Sequence, residues 1–199
     1  MLSKIFHFFY KEKFNFTLNK YNEITKLNNL SKIDDDTVNL LILLEDRRYL
    51  QHKGYDITGI LRAISSIIFS RKIQGASTIE QQLIRVITGN YQKTIKRKIQ
   101  EISLAYLLSK EKNKAEIARC YIYIAYYGSN LNGYKQSSKA LFYNENTPTL
   151  FEKSSLIARL RYPEPSTNNS RILKKINNRA AYGVFLFNKM KEEEFNESL

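Results

Sequence analysis

The sequence has no tryptophan, one cysteine, three prolines and seven glycines among its 199 residues. So few glycines and prolines leave little room for the turns of a many-stranded β fold and favour long helices instead. The single thiol, Cys120, excludes an internal disulfide and a cysteine-ligated metal site. It lies within an apolar run, which indicates a small buried hydrophobic residue rather than a nucleophile.

Long hydrophobic runs are missing as well. A membrane-spanning helix needs about 20 largely apolar residues, and the best candidates, at 40–44, 64–69 and 103–108, are far shorter. The N-terminal segment mixes phenylalanine and tyrosine with lysine, so neither a transmembrane span nor a signal peptide is evident. We expect residues 1–36 to be a lead-in, either packed on the domain as a helix or lying at a membrane interface.

Acidic residues are scarce relative to basic ones. The chain has 19 aspartates and glutamates against 32 lysines and arginines, which gives a formal net charge of +13. This excess predicts an anionic partner, and composition alone leaves open a nucleic acid, a phosphate-bearing ligand and an acidic membrane surface. No recognised nucleic-acid-binding motif accompanies the charge, so we expect no nucleic acid partner.

Hydrophobic periodicity predicts one mostly α domain over residues 37–199. The first predicted helix begins at an acidic cap among Asp34, Asp35 and Asp36 and runs into Glu45. The other predicted helices cover 57–69, 77–87, 91–110, 114–127, 149–160 and 171–190.

Three of these helices carry specific expectations. Ser77 followed three residues later by Glu80 predicts a capping box at the start of the helix at 77–87. In the next helix, regular spacing predicts a buried face made of Ile95, Ile99, Ile102 and Tyr106. The helix at 114–127 is expected to stop at Gly128.

Three groups of polar residues go beyond an ordinary solvated surface. They are Glu45 and Asp46 near His52, the helix start at 75–78, and the basic run at 96–98 before Glu101. Each group alone is explained by a helix end, a cap or a surface ion pair. Together, two carboxylates on separate helices with cations and a helix N-terminus suit transfer of a group from a phosphate leaving group.

Four ordered stretches resemble the signatures of the family 51 glycosyltransferases, the peptidoglycan transglycosylase domain of class A penicillin-binding proteins and monofunctional transglycosylases. They are EDRRYLQHKGYD at 45–56, QGASTIEQQLIR at 74–85, RKIQE at 97–101 and KAEIARCYIYIAYYGSNLNGY at 114–134. The resemblance covers residues 37 to about 190. Several positions depart from the signatures: Tyr49 and Leu50 replace an aromatic pair, Glu80 a threonine, and Val86 and Tyr123 each an asparagine.

The resemblance implies a lysozyme-like helical glycosyltransferase domain whose helix at 57–69 forms a jaw that dips into lipid. The donor would be lipid II, and glycan strands would grow by inverting transfer with release of undecaprenyl diphosphate. Glu45 would be the general base that deprotonates the acceptor 4-hydroxyl. Glu101 would be the second essential carboxylate.

The same resemblance assigns substrate-binding roles around the donor diphosphate and the cleft. The residues are Asp46, His52, Ser77, Thr78, Gln81, Gln82, Arg85, Arg97 and Lys98. No protein metal site is expected, because the two histidines lack metal-ligand spacing. Some members of the family use a divalent metal, so Mg or Mn at the diphosphate is an open expectation.

The partners implied are lipid II, the growing glycan chain, the membrane surface and other cell-wall synthesis proteins, at the extracytoplasmic face of the bacterial inner membrane. Two other interpretations stay open. The first is a non-catalytic or diverged relative that binds a lipid-diphosphate-linked sugar or uses a different acceptor. The second is a muramidase with the same fold, in which the basic residues at 93–98 would have no evident use.

Overall fold

The computed structural model describes residues 2–26, 30–70, 75, 77–144 and 146–197. Over these residues the fold is mostly α, as the sequence predicts, with one short antiparallel sheet. The helices are α1 (Leu2–Thr25), α2 (Asp35–Glu45), α3 (Ile57–Ser70), α4 (Ile79–Thr88), α5 (Ile95–Glu111), α6 (Lys114–Ile124), α7 (Gly133–Leu141), α8 (Leu150–Ala158) and α9 (Ser170–Glu197). The strands are β1 (Tyr126–Gly128) and β2 (Leu131–Asn132).

The chain packs as two compact units. The first comprises Met1–Asn28 and Asp46–Tyr121, and the second comprises Asn29–Glu45 and Ile122–Leu199. These limits differ from the predicted division into 1–36 and 37–199, which stays a prediction.

The first unit is built around α5, which packs against both α1 and α4. Phe14 and Tyr21 of α1 are buried in this unit. Leu83 of α4 and Leu104 of α5 are fully buried as well. Tyr10 has non-helical backbone angles (φ −127°, ψ 19°), so a kink divides α1 into a short first segment and the segment that packs on α5.

The second unit is built around the pair α8 and α9, with α2 packed against both. The predicted acidic cap of α2 is confirmed at Asp34, whose carboxylate accepts the backbone N–H of Thr37 at 2.9 Å. Lys153 of α8 pairs with Asp34 at 2.6 Å and with Asp36 at 3.2 Å. These ion pairs attach the first turn of α2 to α8.

The prediction that the helix after 114 continues to Gly128 is wrong. The helix ends at Ile124, and the residues that follow form β1, which pairs with β2. Gly128 has φ +128° and bridges to Glu164. A Cβ at Gly128 would lie 2.0 Å from the backbone nitrogen of Glu164, so only glycine allows this close approach.

The predicted buried face of α5 is also wrong in its first half. Ile95 and Ile99 are 82% and 51% exposed. The helix instead buries a neighbouring face that contains polar residues, Gln100 and Glu101, together with Leu104. Apolar spacing missed this face because part of what α5 buries is charge.

Helix α3 confirms the prediction of a helix at 57–69, but its first turns do not bury their apolar side chains. Ile57 and Leu61 are 60% and 61% exposed. The later members of the predicted apolar stripe, Ile64, Ile67 and Ile68, have side chains outside the described residues. Within the described part of the chain, no helix combines the length and the apolar character needed to cross a membrane.

The loop before α3 depends on a glycine that approaches α5. Gly54 has φ +79°, and a Cβ there would lie 2.5 Å from the carbonyl group of Ala105. We expect Gly54→Ala to lower the free energy of unfolding by at least about 3 kcal/mol, the combined cost of left-handed strain and overpacking. Urea unfolding measures this loss.

Gly89→Ala is the matched control, because Gly89 also has positive φ (+60°) but no atom within 4 Å of the added Cβ. It should cost only about 1–2 kcal/mol, the left-handed strain alone. Equal losses in the two variants would show that the contact with α5 is unimportant.

Candidate functional site

A buried carboxylate on α5 collects cations from α4 and from its own helix. Glu101 is 2% exposed, and its two oxygens accept hydrogen bonds from Arg85, from Nε at 2.8 Å and from Nη2 at 3.2 Å. Arg97, one turn earlier on α5, donates to the same carboxylate. Lys98 Nζ lies 3.9 Å from Oε2. Three cations therefore surround one carboxylate, which leaves an excess of positive charge for an anion.

The ammonium of Lys98 connects α5 to the start of α4. Its Nζ donates to Ser77 Oγ at 2.8 Å and to Gln81 Oε1 at 2.6 Å. Burial lowers the pKa of Lys98 to about 8 because it removes water from the charged form. The Lys98 ammonium is therefore charged at neutral pH and starts to lose its proton slightly above it.

Thr78, and not Ser77, caps α4. Its side chain accepts the backbone N–H of Gln81 at 3.3 Å. The Thr78 hydroxyl and the side-chain amide nitrogen (Nε2) of Gln81 both donate to the carbonyl of Gly54 at 3.0 Å. The predicted capping box of Ser77 and Glu80 is therefore wrong. The Ser77 hydroxyl accepts from the Lys98 ammonium, and the Glu80 carboxylate accepts from the Lys114 ammonium.

A second set of contacts holds the loop between Asp46 and Asp56. His52 Nε2 lies 3.0 Å from Asp46 Oδ2, and Asp46 also accepts the backbone N–H of Ile79, the first residue of α4. Arg48 Nε lies 3.3 Å from Asp56 Oδ1. The first signature is thus connected to the helix that carries the second.

Burial divides the predicted substrate-binding residues into two groups. Almost fully enclosed are Asp46, His52, Thr78 and Gln81. Partly exposed are Ser77, Gln82, Arg85, Arg97 and Lys98. The enclosed residues hold the loop and the helix start through the bonds given above, and their role as ligands stays a prediction. The partly exposed residues are the ones that can meet a substrate directly.

A buried ion pair that the sequence patterns do not predict lies at the departure from the second signature. Glu80 is 0% exposed, and its carboxylate accepts from the ammonium of Lys114 at the start of α6. The same ammonium lies 4.1 Å from the ring centre of Tyr49, whose hydroxyl donates to the Lys114 carbonyl at 2.8 Å. The replacement of threonine by glutamate was the signal that could have suggested a buried cationic partner.

Among the residues that the structure describes, Asp46, His52 and Glu80 form one group with ligand atoms within 4.8 Å of one another. The Lys114 ammonium already neutralises Glu80 there. The metal that the resemblance implies would lie at the diphosphate and not in this group. Around Glu101 the side chains are cations and the carboxylate is engaged by guanidinium groups. These side chains do not fit Mg or Mn, which prefer free oxygen ligands.

The other predicted catalytic carboxylate lies in the second unit. Glu45 is the last residue of α2, and its side chain is 11% exposed. Arg179 of α9 donates from Nη2 to Glu45 Oε1 at 2.8 Å and to the carbonyl of Leu44 at 2.6 Å. One guanidinium therefore closes the C-terminal end of α2 and fixes the position of the carboxylate.

A family model described as Transglycosylase matches residues 12–186 of the chain. The chain belongs to the transglycosylase family. This is the family that the four sequence signatures resemble, and the mostly helical fold of the chain agrees with the lysozyme-like domain expected from them.

Known transglycosylase relatives match over part of their length. The monofunctional glycosyltransferase of Staphylococcus saprophyticus is 32% identical over 145 residues, which cover 70% of this chain and 54% of that protein. The protein of the same name from Staphylococcus aureus strain JH9 is 32% identical over 67% of this chain and 53% of its own length. Penicillin-binding protein 4 of Bacillus subtilis is 36% identical over 57% of this chain and 18% of its own length. The chain thus spans about half of the monofunctional relatives that it matches.

Removal of the Lys114 ammonium would leave the Glu80 carboxylate buried without its cation. We expect Lys114→Met to lower the free energy of unfolding by about 3 kcal/mol, as for other broken buried ion pairs. The double variant Lys114→Met/Glu80→Thr removes both charges and should recover most of this loss. Urea unfolding of both proteins measures the difference, and equal losses would contradict the importance of the pair.

Lys98 should make anion binding depend on pH. Its ammonium has a pKa of about 8 and is increasingly neutral above that pH. Affinity for inorganic pyrophosphate should therefore fall by about tenfold between pH ~7 and pH ~9, the usual contribution of a charged hydrogen bond. Lys98→Arg keeps its charge over this range and should bind with nearly constant affinity. Calorimetric titrations at both pH values provide the test, and a parallel fall in the two proteins would count against Lys98.

Proposed function

We propose that this chain is a peptidoglycan glycosyltransferase that polymerises glycan strands from lipid II. The observation that carries the proposal is the excess of positive charge that Arg85, Arg97 and Lys98 create around Glu101. Lipid II carries its sugar on a diphosphate, and a diphosphate leaving group needs fixed cations at the place where its charge develops. The names of the monofunctional relatives support the same class of reaction.

On the donor side, the partly exposed cations would hold the diphosphate. Arg85 and Arg97 present planar guanidinium groups, which match phosphate oxygens in pairs. Lys98 adds a compact ammonium at the start of α4, where it donates to Ser77. Glu101 acts by holding these cations together, and this makes it a positioning residue for the leaving-group site.

On the acceptor side, Glu45 would be the general base. The acceptor 4-hydroxyl oxygen forms a bond to the donor anomeric carbon while the bond from that carbon to the diphosphate oxygen breaks. The hydroxyl proton passes to the Glu45 carboxylate, and the bonding electrons leave with undecaprenyl diphosphate. Attack on the face opposite the leaving group inverts the anomeric centre. The hydrogen bond from Arg179 supports this role because it fixes one oxygen of Glu45.

The chemistry of the donor implies where the reaction occurs. Because lipid II is anchored in a bilayer by its undecaprenyl chain, we propose that the chain works at the bacterial inner membrane, on its extracytoplasmic face. The growing glycan and other cell-wall synthesis proteins would be its neighbours there. Because the side chains around Glu101 do not fit Mg or Mn, a divalent metal would have to take its ligands from the diphosphate itself. Chelation during the assay below would test this prediction.

Glu45→Gln should abolish the polymerisation of labelled lipid II while the protein remains folded. Glutamine keeps the size of the side chain and an oxygen for Arg179, but it cannot accept the acceptor proton at neutral pH. We expect the rate to fall by about 10²–10⁴-fold, the usual contribution of a general base. Gel analysis of glycan products measures the rate, and circular dichroism checks the fold.

Glu23→Gln is the matched control, since Glu23 is a well-exposed carboxylate whose partner is Lys20. It should leave the rate unchanged. Unchanged glycan synthesis in Glu45→Gln would overturn the proposed role of Glu45. Tight lipid II binding that depends on Lys98, without turnover by the unaltered chain, would instead favour a non-catalytic relative, an alternative suggested by Tyr123 in place of the asparagine of the fourth signature.

A further inference from the structure

Helix α9 carries an exposed row of basic, polar and aromatic side chains along one side. The opposite side of the helix packs on α8 and α2 and buries Ile176, Ala180 and Gly183. The exposed residues recur every three or four positions, which places them on one face of a helix. We call this set the α9 stripe, and it consists of Arg171, Lys175, Asn178, Tyr182 and Phe185.

Two members of the stripe form an exposed aromatic surface. The rings of Tyr182 and Phe185 lie nearly parallel, at 19°, with their centres 6.4 Å apart. The two residues stay 46% and 61% exposed, and paired exposed rings are typical of an interaction surface. A pyranose ring has an apolar face of C–H groups, which packs on the electron-rich face of an aromatic ring. The pair therefore has the chemistry of a sugar subsite.

This aromatic pair lies beside the carboxylate proposed as the general base. Arg179, which binds Glu45, precedes Tyr182 by three residues on α9. The next residue, Gly183, packs so closely on Leu44 that an added Cβ would lie 3.0 Å from its Cδ1. Leu44 and Glu45 are the last residues of α2, so Tyr182 flanks the end of that helix. Both reacting sugars would meet at Glu45, and the strand to which one of them belongs would start beside Tyr182.

Positive charge extends the stripe towards the start of α9. Arg171 and Lys175 are exposed, and residues 170–191 include no acid. A glycan strand that carries peptide stems presents carboxylates, so this charge is complementary to such a strand. The same charge disfavours a second copy of the chain, because two molecules with a net charge of +13 repel each other.

We propose that the α9 stripe binds the growing glycan strand, with Tyr182 and Phe185 against its sugar rings and the basic residues near its peptide carboxylates. The inference rests on the proposed function, because it takes Glu45 as the residue at which the sugars react. It adds a surface that keeps the strand on the chain between successive transfers. The aromatic pair takes no part in proton transfer and determines how long the strand stays bound.

The absence of tryptophan allows a direct test of binding. Phe185→Trp keeps an aromatic ring in the stripe and gives the full chain a single indole. Its emission should change when purified, uncrosslinked glycan strands with intact peptide stems are added, since a sugar ring replaces water at the indole. Phe195→Trp is the matched control, because Phe195 is 64% exposed on the same helix and outside the stripe. Its emission should stay constant.

Tyr182→Ala/Phe185→Ala removes both rings. Calorimetry should show at least about a tenfold weaker affinity for the same strands, because the ring contacts are lost. Gel analysis of lipid II polymerisation should show shorter products, with a loss of coupling that grows with strand length, since a longer strand has more sugars to hold. A merely structural role of the two rings would lower all couplings alike.

The basic residues are tested with two forms of the strand. Arg171→Gln/Lys175→Gln should weaken the binding of strands with intact peptide stems at low salt. Strands freed of their stems by an amidase carry fewer carboxylates, and their binding should change little in this variant. An equal effect on the two forms would contradict the role of the basic residues.

Several results would overturn the role of the aromatic pair. They are a constant emission of Phe185→Trp with strands, an unaltered affinity of the double alanine variant, an equal loss at every strand length, or dimers of the unaltered chain that this variant abolishes. The last result would assign the stripe to a second copy. Because strand binding is measured without turnover, it can fail while polymerisation depends on Glu45, and it can succeed in Glu45→Gln.

Discussion

Glu101 must be paired, because a carboxylate that is 2% exposed has almost no water to solvate it. The pairing fixes how α4 and α5 pack, since Arg85 comes from one helix and Arg97 from the other. With both guanidinium groups on Glu101, Lys98 lies against Ser77 and Gln81 at the start of α4. One buried charge therefore orders the second and third signatures together and leaves spare cations at the surface of the first unit.

The two carboxylates that we propose for the reaction are held in different ways. Arg179 donates to one oxygen of Glu45 and also to the carbonyl of Leu44, so it fixes this carboxylate at the end of α2. Glu101 is surrounded by several cations and organises them for an anion. Each unit fixes its own carboxylate with its own arginine side chains.

The sequence predicted what depends on near neighbours along the chain. The cap of α2 joins Asp34 to Thr37, three positions further along the chain, and it is confirmed. The buried face of α5 was predicted wrongly because periodicity counts apolar residues, whereas this helix also buries Glu101. Strand β1 was read as helix because its pairing with β2 and its bridge to Glu164 are tertiary. The spacing of residues along the chain does not predict such tertiary contacts.

The buried pair of Glu80 and Lys114 has a consequence for how such a sequence could arise. A chain with threonine at position 80 needs no cation there, and because Lys114 agrees with the fourth signature, the substitution at position 80 alone creates the pair. The order matters: a lysine at 114, with 21% of its side chain exposed, can extend into water before its partner exists, whereas a glutamate at 80 would be enclosed at once. Evolution through lysine first avoids an intermediate with an uncompensated charge. The acid at 80 is therefore permitted by a neighbour that is 34 residues away in sequence.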